Sequence, residues 1–158
     1  MAARHAAAHR GRELALGAIF EAEFGQRTAS AALERRLAAE KAAPEAAELA
    51  RALVEIVARE RVAIDARLAA AAPAYPVVSL ARIDRALLRC GLGEVLHCPA
   101  TPTRVAIAEW VELARTYSGE PARRLVNGVL GRVASEPAAP DTSDIRALPK
   151  TSARSDKT

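Results

Sequence analysis

Residues 103–117 read TRVAIAEWVELARTY. Ile107, Trp110, Val111, Ala114 and Tyr117 recur at three- and four-residue spacing, with charged residues between them. That period places the apolar side chains on one face of an α-helix, and the stretch is too long and too regular for a strand. Pro99 and Pro102 mark a loop before it, and Thr103 is a candidate N-cap. Ser118-Gly119 ends the helix. Pro121 then suits the first turn of a final helix that carries Leu125, Val126, Val129, Leu130 and Val133.

The same period extends upstream. Leu16, Ile19, Phe20 and Phe24 predict a helix over 10–24, with Gly25 as its stop. Leu33 and Leu37 predict a second over 30–41. Pro44 opens a third, which carries Leu49, Leu53, Ile56, Val57, Ile64 and Leu68 and runs to about residue 71. Pro73 and Pro76 form a linker at the midpoint. Leu80, Ile83, Leu87 and Leu88 form the next face, which Gly91 and Gly93 are placed to break or bend. Six or seven short helices with short connections predict an all-α fold of two small antiparallel three-helix bundles sharing one core.

Composition agrees. The chain has 158 residues, of which 39 are Ala, and only 3% are aromatic. Ala is the strongest helix former, and β-branched and aromatic runs are scarce. The length suits one domain. No apolar run reaches the roughly 18–20 residues of a membrane span, and the N-terminus lacks the apolar core of a secretory signal. Two cysteines, Cys90 and Cys98, without a CxxC pair fit a reducing cytoplasm better than a disulfide scaffold or a zinc finger. The expected organisation is a flexible basic lead over 1–9, a helical domain over 10–135, and a disordered tail over 136–158. That tail is rich in Pro, Ser, Thr and Ala and has zero net charge.

No catalytic constellation emerges. Cys90, His97 and Cys98 are too few and too badly spaced for a metal, and neither thiol sits at an activating helix N-terminus. There is no Gly-rich phosphate loop. Glu109 and Glu112 read as a solvated helix face. The chain is therefore expected to be no enzyme and to need no metal or cofactor. What stands out is charge placement within a net +4. Residues 1–12 hold Arg4, Arg10 and Arg12 with no acid, and residues 123–132 hold Arg123, Arg124 and Arg132 with no acid. Positive charge at the start of a helix opposes the macrodipole. Guanidinium groups there can meet phosphates and stack on unpaired bases.

Four segments carry a resemblance. Arg10-Gly-Arg-Glu-Leu-Ala-Leu-Gly-Ala-Ile-Phe20 resembles the first helix of the NusB family of transcription antitermination factors. Ile83-Asp-Arg-Ala-Leu-Leu-Arg89, followed by Glu94, resembles its central helix. Val105–Arg115 is similar to the family's "VAINEAVELAK" helix, and Leu125-Val-Asn-Gly-Val-Leu130 to its "FVNGVL" signature. The segments occur in the family's order over about residues 8–134.

The resemblance implies a non-catalytic RNA-binding protein. It would pair with the ribosomal protein NusE, bind single-stranded boxA RNA in nascent ribosomal transcripts, and act indirectly on the elongating polymerase. Arg10 and Arg12, with Arg4 in the lead, match the family's RNA-contacting arginines. Arg123 and Arg124 match a basic pair expected at the rim of the same surface. Phe20, where relatives often carry Tyr, and Asp84 match partner contacts. Glu94 matches another acid of the central helix, as much structural as binding. Asn127-Gly128 is expected to shape the last helix, Gly128 by permitting close helix approach. The chain departs from the family at Ala108, where the motif has Asn, and at Pro121, and its lead holds fewer arginines. Fewer arginines imply weaker RNA affinity alone and more reliance on the partner. Two rival readings are a targeting module related to ribosomal RNA cytosine-5 methyltransferases and a structural homodimer whose basic patch is incidental.

Overall fold

The structure is a computed structural model and describes residues 1–136. The expected tail falls, beyond Glu136, outside the described residues. Seven α-helices follow one another: α1 Ala2–Ala22, α2 Ala29–Glu40, α3 Pro44–Arg59, α4 Arg61–Ala71, α5 Arg82–His97, α6 Thr103–Tyr117 and α7 Glu120–Ser135. A 3-10 turn, Val77–Ser79, joins α4 to α5. The fold of the described residues is all-α, as the apolar periods predict.

Packing divides the helices into two bundles. The first is α1, α2 and α3, in mutual contact, and the second is α5, α6 and α7. Helices α1 and α3 lean on α5, while α4 bridges to α5 and α7, so both bundles share one core. Leu14, Leu53, Ile64, Leu87, Trp110 and Leu130 are among its fully buried side chains. Each such aliphatic side chain contributes roughly 1.5–3 kcal/mol of transfer free energy before ordering costs.

The elements differ from expectation where packing overrides local signals. Residues 1–9, expected as a flexible lead, form the first turns of α1. Five of them are Ala, which favours helix without any tertiary contact. The single helix expected from Pro44 to residue 71 is two, divided at Glu60 (φ −101°, ψ 14°). The break costs little hydrogen bonding. The Glu60 N–H donates to Ile56 O, and the Ile64 N–H donates to Glu60 O, both at 2.8 Å.

That corner wraps α5. A Cβ on Gly93 would lie 3.2 Å from Ile56, 3.3 Å from Val57 and 3.6 Å from Ile64. Gly91 likewise faces Leu130 and Trp110. These glycines do not break α5, which runs unbroken from Arg82 to His97; they let neighbouring helices come close. Thr103 is the first helical residue of α6 and makes no side-chain cap. The side-chain cap is instead Thr28 on α2, which accepts from the Ala31 N–H at 3.2 Å.

Candidate nucleic-acid and partner interface

Helix α1 carries most of the candidate residues, and its burial decides among them. Between residues 11 and 19 nearly every position is buried, because α3, α2 and α5 surround it. Gly11 lets α3 approach: a Cβ there would stand 2.8 Å from Ala46 O. Arg12, the next residue, is covered on the side of α5 and α6, with 3% of its side chain exposed. Its Nε donates to Glu94 Oε2 at 3.0 Å and its Nη2 to Glu94 Oε1 at 2.7 Å. Trp110 Nε1 donates to the same carboxylate at 2.6 Å. The expectation that Arg12 contacts RNA is thus corrected. A guanidinium bound bidentately inside the core cannot also meet a phosphate in solvent. Glu94 is structural for the same reason.

The buried pair continues outward. Arg12 Nη1 lies 3.6 Å from Glu109 Oε2. Glu109 also meets His9 Nδ1 at 3.0 Å and His5 Nε2 at 3.3 Å. Glu109, expected on a solvated face, is instead a clasp that ties the first turns of α1 to α6. Those turns carry Arg4, which is exposed and has no carboxylate partner among the described residues.

Arg10 is half exposed and already engaged. Its Nη1 donates to Glu13 Oε2 at 2.9 Å, and its Nη2 pairs with Glu40 at the end of α2. Tyr117 donates its hydroxyl hydrogen to Glu13 Oε1 at 2.9 Å. Burial pushes the Glu13 carboxyl up, but the hydrogen bonds from Arg10 and Tyr117 outweigh it, so Glu13 titrates below the usual carboxylate range. Tyr117 is pushed up, by burial first and then by its bond to Glu13.

Arg10, Glu13, Phe20, Glu40, Ile83 and Tyr117 line one groove of about 450 Å³ between α1, α2 and the start of α5. Asp84, next to Ile83, accepts from Ser118 Oγ at 2.6 Å. Phe20 stacks edge-on against Phe24 with ring centroids 5.3 Å apart, and the Arg82 guanidinium lies 4.6 Å above Phe24. Of the two expected partner contacts, Phe20 lines this groove together with Arg10, while Asp84 follows Ile83 in α5 and is not among the residues lining it. Tyr117 and Arg82 escaped the sequence reading. Tyr117 reads there as one more residue of the apolar face, whereas the residue is 46% exposed and its hydroxyl is used.

The second basic group lies elsewhere. Arg123 Nε donates to Glu120 Oε2 at 2.9 Å. Arg124 is exposed and, with Arg132, Pro121, Gly128 and Tyr75, lines a groove of about 690 Å³ between α7 and the loop after α4. Arg132 donates to Ala71 O at 2.9 Å across it. Helix α7 packs on α6, α5 and α4, and α1 on α3, α2 and α5, so the two basic groups belong to different bundles and line different grooves. Tyr75 was missed although an exposed aromatic between Pro73 and Pro76 is a legible signal. Gly128 does not serve close helix approach, since a Cβ there would meet nothing within 4 Å.

Neither cysteine is poised for chemistry. Burial pushes both thiols up, Cys90 the further, away from the reactive thiolate. Among the described residues no three His, Cys, Asp or Glu side chains cluster as metal ligands, and no helix is long and apolar enough to cross a membrane.

Comparison with known proteins gives a consistent result. A family model described as the NusB family matches residues 9–135. A transcription antitermination protein NusB from Chloroflexus aggregans is 39% identical over 127 residues, covering 79% of this chain and 85% of its own. The crystal structure of T. maritima NusB superposes with a TM-score of 0.76 at 30% identity, over 83% of this chain and 92% of that one. A structure of the antitermination factors NusB and NusE in complex with double-stranded RNA is similar in fold, with a TM-score of 0.74 at 20% identity, over 81% of this chain and 96% of that one.

Proposed function

The chain belongs to the NusB family, and on that premise we propose that it is a transcription antitermination factor acting in the cytoplasm with the ribosomal protein NusE on boxA RNA. The family match over residues 9–135, shared with curated antitermination proteins, carries this reading. The protein works by binding, and no catalytic step is required of it. Together with NusE it would hold a nascent ribosomal transcript and so bias the elongating polymerase past termination signals.

Two surfaces divide the work. The groove holding Phe20, together with Asp84 beside Ser118, takes the partner protein: the groove combines an aromatic anchor, apolar Ile83 and flanking charge, the composition of an interface hot spot. RNA phosphates meet the exposed guanidiniums Arg4 and Arg124, with Arg123 beside the latter. Tyr75 supplies a face on which an unpaired base can stack. Arg10 stands where partner and RNA surfaces adjoin. Its bonds to Glu13 and Glu40 must be exchanged for a phosphate before it contributes.

The test is a mobility-shift titration of labelled boxA RNA with the protein, with and without NusE, at fixed salt. Scrambled single-stranded RNA and a duplex of the same sequence serve as comparisons. Tighter binding of boxA than of either comparison, strengthened by NusE, is expected. Equal binding of all three RNAs with NusE present would refute the reading.

A further inference from the structure

Most arginines of the first bundle and its junction with the second are tied to a carboxylate. Arg10, Arg12, Arg35, Arg36, Arg85 and Arg89 each have one. Arg4, Arg82, Arg27 and Arg61 do not, among the described residues, and Arg27 and Arg61 are both exposed. They are 34 positions apart in sequence, yet both line one groove of about 390 Å³. Its floor is Ile19 and Val57, and its sides are the end of α1, the start of α2 and the corner between α3 and α4. The one acid lining it, Glu23, is already neutralised. Arg85 Nη2 donates to it at 2.6 Å and Arg89 Nη1 at 2.5 Å. Thr28 and Ala29, at the N-terminus of α2, also line the groove, so backbone N–H groups with partial positive charge border it.

We infer that this groove is a second phosphate-binding site, in which Arg27 and Arg61 grip a phosphate group of the RNA strand outside the boxA element. The charge balance carries this. Two guanidiniums face a cleft whose carboxylate is already paired, and a phosphate is the ligand that a pair of guanidinium forks matches. The site lies at the far end of α1 from Arg4. Nineteen residues of helix separate Arg4 from Glu23, about 28 Å at 1.5 Å per residue. A short RNA held at Arg4 does not reach it, whereas a longer transcript does. The inference rests on the RNA-binding reading above and adds a separate, length-dependent contact to it.

The experiment compares wild type with Arg27→Ala/Arg61→Ala and with Arg27→Lys/Arg61→Lys, all as the full chain with NusE. Affinity is measured against salt for boxA RNA alone and for boxA RNA extended on both sides. Each single-strand phosphate contact contributes a log–log slope of about −0.7. The alanine pair should make the slope for extended RNA shallower by about 0.7, leave that for short RNA unchanged, and be rescued by the lysine pair. In parallel, inorganic phosphate is titrated into the labelled protein while backbone amide shifts are followed. Shifts confined to residues near Arg27 and Arg61, with the RNA slopes unchanged, would keep the phosphate site but overturn its assignment to the strand. If neither the extended-RNA slope nor those amides respond, the site is overturned. Should Arg4→Ala and Arg124→Ala still weaken boxA binding in that case, the general RNA reading stands without it.

Discussion

Arg12 and Glu94, 82 residues apart in the chain, meet inside the protein as a bidentate ion pair with Trp110 as a third donor. The pair fastens α1 of the first bundle to α5 and α6 of the second. It also converts a residue that reads as an RNA contact into a structural one. Removing one partner leaves the other charge buried without compensation, at a cost of about 3–5 kcal/mol. Arg12→Met should therefore lower the unfolding free energy obtained from urea denaturation by that amount. The double variant Arg12→Met/Glu94→Leu should cost less than the two single changes summed. Where Arg12→Met remains folded, its salt slope for boxA RNA should match wild type. A shallower slope would show that Arg12 does reach phosphate.

The same logic ranks the exposed arginines. Arg4 and Arg124 have no carboxylate to give up among the described residues, whereas Arg10 is held by Glu13 and Glu40. An arginine that must break two ion pairs gains less from a phosphate. Arg4→Ala and Arg124→Ala should each make the salt slope shallower by about 0.7. Arg10→Ala should change it by less, and Glu40→Gln should tighten RNA binding by releasing Arg10. Fluorescence titrations from 50 to 200 mM salt would decide, and a larger effect at Arg10 than at Arg4 would reverse the ranking.

Glycines give a contrasting pair of predictions about packing. A Cβ on Gly11 would press on Ala46 O at 2.8 Å, and backbone cannot rotate away as a side chain can. Gly11→Ala should destabilise by about 1–3 kcal/mol, the range for overpacking. Gly128 sits within α7 with open space where its Cβ would be. Gly128→Ala should stabilise by about 0.5–1 kcal/mol through helix propensity alone. Thermal or urea denaturation of the two variants should move in opposite directions.

These cases show what the sequence carries and where it stops. Helices α6 and α7 are legible because each buries one face, so the apolar spacing survives in the chain. Helix α1 is harder to read, because it is covered nearly all round between residues 11 and 19 and hides a guanidinium whose partner is far away in sequence. Local charge counting finds Arg4, Arg10 and Arg12 alike; only the distant Glu94 of α5, with Trp110 and Glu109 of α6, separates the buried one from the others. The division at Glu60 has no Gly or Pro to announce it; the close approach at that corner is to Gly93 of α5, far away in sequence. Phe20 and Asp84 enter only through resemblance, and the structure adds Tyr117, which brings α6 to the groove of Phe20.

Glu13 makes the groove sensitive to acid. Its carboxyl titrates below the ordinary range, because hydrogen bonds from Arg10 and Tyr117 outweigh the opposing effect of burial. A carboxyl with a depressed folded value adds stability that is complete above its unfolded value, about 4.3. That stability is lost as pH falls through the folded value. Wild type should therefore lose more stability than Glu13→Gln between pH 5 and pH 3, with the two curves converging at the acid end. Urea midpoints across that range would measure it, and parallel curves would deny Glu13 its part.

The partner groove makes the last prediction. Phe20 is half-buried against Phe24, so its ring is held in place before any partner arrives and little side-chain entropy remains to be lost on docking. Phe20→Ala should weaken the complex with NusE by about 2 kcal/mol or more, roughly thirtyfold. Phe20→Tyr should preserve it. Asp84 bonds Ser118 at the start of α5, and Asp84→Asn keeps an acceptor for that hydroxyl while removing the charge. Asp84→Asn should therefore leave thermal stability nearly unchanged. It should slow association with NusE at low salt, since a charge at the rim of an interface acts mainly on the encounter rate. Calorimetry for Phe20 and stopped-flow association for Asp84 separate the two roles. A Phe20→Ala protein that binds NusE as wild type does would place the partner on another face of the molecule.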